Sequence, residues 1–205
     1  QTKQIVQEQL SRVQADDKRW TPLHKHSNRF VKLSTIHVDG ESNAWGKAET
    51  TIDATAEETL AYFWDYCSNE RINATKNLHK NPRELVKQIT PNRHHVFSTI
   101  KDLPWPISNR QLIYESTWTK RDAGSYVYAW QPPTTTEIED SRINIGKNKQ
   151  KQLIQGESRG YVLITPDGSD ACKLTYVQHA DAKGNLPSKI MDRQIPRSLL
   201  SVSTA

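Results

Sequence analysis

The sequence predicts an α+β fold in which a mainly antiparallel sheet is joined by a few helices. Three observations lead there. Strand-like runs follow one another through short turns, Asp39-Gly40 and Pro166-Asp167-Gly168 among them, so consecutive strands pair without helical crossovers. A capped amphipathic helix interrupts the strands near Thr55. The segment from Pro187 to Val202 closes the chain with apolar residues at helical spacing.

Taken in order, the first segment, KQIVQEQLSRVQADDKRW, sets Ile5, Leu10 and Val13 on a charged background and predicts a helix lying on the surface. Strands are predicted from Phe30 to Val38 and from Ala44 to Ile52. Thr55-Ala56-Glu57-Glu58 is a capping box: the Thr hydroxyl takes the amide three residues on, and Glu58 reaches back. Leu60, Phe63, Trp64 and Cys67 then recur at i, i+3, i+4 and i+7, a stripe that reads as core packing. Further strands are predicted at 84–90, 94–100, 107–118 and 125–130. A polar loop runs from Pro132 to about Gln150, and strands return at 158–165 and 171–179. In the closing segment Pro187 suits a first helical turn, and Met191, Ile195 and Leu199 repeat every four residues. Pro196 should kink or restart that helix.

Composition narrows the function classes. The 205 residues are 35% hydrophobic and 25% charged, polar for a globular chain but not disordered, and six Trp with seven Tyr argue for a core with large aromatic parts. A net charge of +5 fits a soluble basic surface, an anionic membrane or an acidic partner. No dense Lys/Arg tract is present, so nucleic acid is excluded as the expected partner. Cys67 and Cys172 have no metal or disulfide spacing and are read as reduced thiols. No apolar run approaches the ~20 residues of a membrane span. The chain begins at Gln1 and stops soon after an apolar segment, which leaves open a domain cut from something longer, so missing targeting signals decide nothing. Asn73-Ala74-Thr75 fits a glycosylation acceptor only by chance on this reading.

Signs of catalysis are sparse. G-x-S-x-G, P-loop, G-x-G-x-x-G and H-E-x-x-H motifs are absent from the sequence. His24 and His26 would share one strand face, with no third ligand type nearby. His94 and His95 are strand neighbours and point to opposite faces. His179 stands beside Asp181 and is read as an ordinary surface pair, and Cys67 as a buried, inert thiol. No catalytic residue, metal or cofactor is expected.

The stretch LPWPISNRQLIYE, 103–115, is more informative. Pro104 and Pro106 should precede the strand, since proline cannot donate to a ladder. Ser108, Arg110, Leu112, Tyr114, Ser116 and Trp118 share one face; Ile107, Asn109, Gln111, Ile113, Glu115 and Thr117 share the other. The first face is the more apolar and should look inward, and in the next strand Tyr126, Tyr128 and Trp130 also share a face. An inward Arg110 needs solvent at the rim, a structural carboxylate such as Asp102, or a ligand.

These residues resemble the START domain, the steroidogenic-acute-regulatory-protein-related lipid-transfer domain, from about Asp16 to Val202. The likeness is carried by GKAETTIDATAEETLAYFWDYCSNERIN with its turn from Asp65 to Arg71, by DLPWPISNRQLIY, similar to a W-P-x-x-x-R-[DE]-x-[VIL]-x segment, and by HADAKGNLPSKIMDRQIPRSLL, similar to a D-x-K-G-x-[IL]-P segment and final helix. The resemblance implies one domain over 1–205, with 1–15 as an N-terminal helix. It implies a helix-grip fold, a curved antiparallel sheet wrapped around a long C-terminal helix. It implies a single lipid enclosed between sheet and helix, no cofactor and no reaction. Gln111 stands where the family has an acidic residue, and Ser116 where sterol-binding members carry a second inward arginine. That leaves phospholipid, ceramide, fatty acid or another amphiphile open.

The expected ligand wall is Arg110, Leu112, Tyr114, Trp118, Tyr126, Tyr128 and Trp130, closed by Met191, Ile195 and Leu199 of the terminal helix. Lys147, Lys149 and Lys151 lie in a stretch with no acidic residue and are candidates for an anionic membrane surface. The protein is accordingly expected in the cytoplasm, peripheral to membranes. Two rival readings remain: an interaction module of a larger protein without transport, and a cyclase or hydratase of the wider birch-pollen-allergen superfamily. The second would need an inward acid–base pair that the sequence does not display.

Overall fold

The structure is a computed structural model that describes residues 5–7, 11, 19–41, 43–74, 83–90, 93–101, 108–133, 153–184, 195–196 and 199–200. Among these, nine strands form one sheet: β1 (Thr21–Pro22), β2 (Val31–Ile36), β3 (Trp45–Ile52), β4 (Arg83–Thr90), β5 (His94–Lys101), β6 (Arg110–Lys120), β7 (Tyr126–Gln131), β8 (Ile154–Pro166) and β9 (Cys172–Asp181). Their order is β1-β2-β3-β9-β8-β7-β6-β5-β4, every neighbour antiparallel, as short turns require. β7 ends at Gln131, and beyond that point β6 and β8 pair directly and in parallel, Arg110 with Ile154 and Leu112 with Gly156. The sheet therefore folds over the end of its shortest central strand.

The edge strand β4 carries two register shifts against β5, between Leu85 and Lys87 and between Gln88 and Thr90. Leu85 and Ile89 on this strand are exposed.

Helix α1 (Ala56–Trp64) starts on the predicted capping box: Glu58 donates its amide to Thr55 Oγ1 at 3.2 Å, and the Thr55 amide reaches Glu58 Oε2 at 2.9 Å. It ends earlier than the apolar stripe suggests. Ser68 Oγ accepts the Arg71 amide at 3.2 Å and its carbonyl accepts Ile72, so a new helix, α2 (Asn69–Ala74), nucleates there. Cys67 falls in the turn between them, half-buried, and burial raises its thiol pKa to about 11.

Both faces of the sheet are covered. On the inner face, α1 sets Ala56 and Leu60 against Tyr126, Tyr128, Trp130, Val162, Ile164 and Leu174. On the outer face, Ile5 and Val6 pack against Ile36, Trp45, Val127, Ala129, Tyr161 and Val177. Residues 5–7 are thus docked through Ile5 and Val6, and all six residues of β7 are buried. Glu115 and Thr117, on the face of β6 opposite Arg110, are likewise buried, which the face comparison alone does not predict.

Of the terminal helix, Ile195, Pro196, Leu199 and Leu200 are described and helical. Leu199 is buried against Val31, Leu33 and Ala48, with Ile195 and Leu200 beside it. Gly46 lets them approach: a Cβ there would lie 2.5 Å from Ile195 Cγ2 and 3.0 Å from Leu199 Cδ1. Met191, the Trp-Pro corner at 104–106, Asp102, and Lys147, Lys149 and Lys151 lie outside the described residues.

Candidate ligand-binding site

Period-2 geometry brings Tyr114 and Trp118 of β6, Tyr126, Tyr128 and Trp130 of β7 and Tyr176 of β9 onto the inner face. Helix α1 adds Phe63 and Trp64 from its covered side. The rings form a continuous wall. Tyr128 lies 6.0 Å from Trp130 and 6.1 Å from Phe63, Trp130 lies 5.4 Å from Tyr176, and Trp118 meets Tyr126 at 6.0 Å. Phe97 of β5 meets Tyr114 edge-on at 4.2 Å, and His95 stacks on Trp64 at 3.8 Å.

The polar tips of this wall are partly satisfied. Tyr126 donates to Glu57 Oε1 at 2.8 Å, which ties β7 to α1. Trp130 Nε1 and Gln178 Nε2 both donate to Ser158 Oγ at 3.1 Å, and Tyr176 donates to Gln178 Oε1 at 3.2 Å. Burial raises the pKa of Tyr114, Tyr128 and Tyr176, so the wall holds neutral phenols. Yet Phe63 and Trp64 of α1, Tyr114 and Trp118 of β6 and Tyr176 of β9 keep part of their surface accessible.

Arg110 is buried, 4% exposed, so it is not at a solvated rim. Its Nε donates to Ala182 O at 2.6 Å, one terminal nitrogen donates to Ser108 O and the other to Lys183 O at 3.3 Å. It pins the start of β6 to the turn after β9, a partner set that no local pattern announces. Leu112 shares its face but packs toward Gly156, away from the aromatic cluster. Ile195 and Leu199 stand over β2 and β3, and Tyr176 joins their cluster to the aromatic one.

Histidines that the sequence singles out fall elsewhere. His24 and His26 sit in an exposed turn rather than on a strand face. His94 and His95 do point to opposite faces, and His94 Nε2 lies 3.4 Å from Glu115 Oε2 on the outer one. His179 is not a surface group: it is 3% exposed, 3.5 Å from Glu41 Oε2, with its ring tilted against Trp45 at 5.2 Å. Burial is the main cause that lowers its pKa, with Arg159 adding to it and Glu41 and Asp181 opposing. Among the described residues no group of three His, Cys, Asp or Glu could hold a metal, and no helix is long and apolar enough to cross a membrane.

Sequence reasoning missed Tyr66, Phe97, Tyr176 and Gln178. Tyr176 was legible, because it shares the period-2 face of Cys172 and Leu174. Tyr66 was not, because it lies in the turn after α1.

No curated protein shows significant similarity to the chain. Solved structures do. Human StAR-related lipid transfer protein 5 superposes with a TM-score of 0.74 at 17% identity, over 98% of this chain and 90% of that one. Human STARD10 gives 0.74 at 17% identity, over 100% and 78%. A STAR-related lipid transfer protein fragment from Xanthomonas axonopodis gives 0.69 at 19%, over 91% and 95%. The shared fold is the helix-grip fold, and its sheet is the one described above. The START domain family matches residues 2–203, and the chain belongs to that family.

Proposed function

We propose that this chain, as a single domain, binds one lipid or similar hydrophobic ligand on the inner face of its sheet, for transfer between membranes or for sensing, without chemical reaction. The observation that carries the reading is the aromatic wall itself. Tyr114 and Trp118 of β6 and Tyr176 of β9 keep accessible surface on the inner face, whereas a filled core would close over them. The names of the similar structures, lipid transfer proteins, support the same reading. Within it, Tyr114, Trp118, Tyr126, Tyr128 and Trp130 are the wall, Arg110 and Leu112 continue it along β6, and Met191, Ile195 and Leu199 close it. Binding comes mainly from apolar burial, at roughly 25 cal/mol per Å² before ordering costs. Lys147, Lys149 and Lys151 are the proposed contacts to an anionic membrane.

Native mass spectrometry of the purified protein, paired with organic extraction, tests the proposal. One co-purified or liposome-acquired lipid per chain is expected. A ligand-free mass that persists after incubation with liposomes would overturn it.

A further inference from the structure

We propose that the turn between β1 and β2 is a membrane-docking tip, in which Phe30 enters the interface of an anionic bilayer while Lys25 and Arg29 meet its headgroups. The inference does not depend on the ligand reading, and it names a surface distinct from Lys147, Lys149 and Lys151.

Phe30 is the most exposed large apolar side chain among the described residues, at 66%. The rest of its turn is firmly placed. Leu23 packs against the cluster of Val31, Leu33, Ala48 and Leu199, which gives the turn an inward apolar anchor. Asn28 Oδ1 accepts the amides of Phe30 and Val31, each at 2.8 Å. Ser27 Oγ accepts the Leu33 amide at 2.9 Å and donates to Leu23 O at 3.0 Å. A ring held outward on such a frame keeps its apolar surface in water until a partner covers it.

Charge says which partner. From Lys18 to Val38 the chain carries no Asp or Glu. Lys25 and Arg29 are exposed beside the ring, as are His24 and His26. The Arg29 guanidinium stands 4.5 Å from the Phe30 centroid, so cation and ring act as one unit. The carboxylate on the adjoining strand, Glu49, faces Lys47 at 3.6 Å. At an anionic bilayer the ring reaches the boundary of headgroups and acyl chains while the cations stay at phosphate level. A protein partner fits less well, since its interface needs a buried apolar core and here a single ring protrudes.

Register separates this surface from the lysines. Val31 pairs with Thr50, Thr50 with Leu174, Leu174 with Ile164 and Ile164 with Tyr126. The turn therefore leaves the sheet at the end where β7 begins, whereas the chain departs for residues 132–153 where β7 stops.

The test is co-sedimentation of the full chain with phosphatidylcholine vesicles, with and without phosphatidylserine. Wild type should favour the anionic vesicles. Phe30→Ala should weaken that binding roughly tenfold, with an unchanged melting temperature because the side chain lies outside the core. Lys25→Gln with Arg29→Gln should weaken it roughly ten- to thirtyfold, and only on anionic vesicles. Phe30→Trp should retain binding and add tryptophan emission that bromolipids quench. The Phe30→Ala loss should persist when Lys147, Lys149 and Lys151 are all changed to Glu, which keeps the two surfaces apart. Wild-type affinity in Phe30→Ala or in the double Gln variant, no added quenching in Phe30→Trp, or no preference of wild type for anionic vesicles would overturn the inference. None of these results bears on lipid uptake by native mass spectrometry, so the ligand reading stands or falls separately.

Discussion

Arg110 shows how far a single side chain can be read. Strand periodicity sets it on the same face of β6 as Tyr114 and Trp118, and the side chain is buried. Its partners are another matter. The guanidinium is held by carbonyls 72 and 73 positions along the chain, a contact created by the meeting of β6, β8 and β9 and not by any local spacing. Arg110→Leu should therefore lower stability by roughly 1–3 kcal/mol, because buried carbonyls lose their donor. Urea denaturation measures this, and an unchanged midpoint would deny the tie. Glu115 teaches the opposite lesson. It looks like an outward carboxylate by the alternation rule, yet it is 2% exposed, takes a hydrogen bond from Gln131 at 2.9 Å and sits beside His94. The rule fails there because the sheet is covered on its second face as well.

At the level of elements, eight strands of the sheet were legible from alternation and turn residues, with ends displaced by a few positions. β8 begins at Ile154, before the predicted start at Ser158, because its first residues pair with β6 and not with β7. The two-residue strand β1 was too short to announce itself, and it exists only by pairing with β2. The apolar stripe from Leu60 to Cys67 overstated α1, since Ser68 offers a fresh cap and the chain takes it. The terminal segment makes its own prediction. Gly46→Val would drive a side chain into Ile195 and Leu199, an overpacking cost of roughly 1–3 kcal/mol. The expected result is a lower melting temperature together with faster release of a loaded fluorescent lipid. Unchanged release would mean that these helical residues do not retain the ligand.

For the molecule as a whole, the wall of the site was readable because its rings recur on strand faces, while Tyr66 and Phe97 reach it through tertiary folding alone. The proposed membrane encounter is tested on the whole chain. Lys147, Lys149 and Lys151 changed together to Glu should reduce liposome co-sedimentation, more for anionic vesicles at low salt. Equal sedimentation of the parent with neutral and anionic vesicles would end that proposal. The edge strand β4 carries a consequence for crowded solution. An exposed strand of eight residues with Leu85 and Ile89 on show would ordinarily invite another chain to extend the ladder. Its two register shifts and Lys87 break the template into pieces too short for a visiting strand to zip along. A copy that collides with this edge finds greasy side chains without a continuous row of amides, so stacking into fibrils is resisted there.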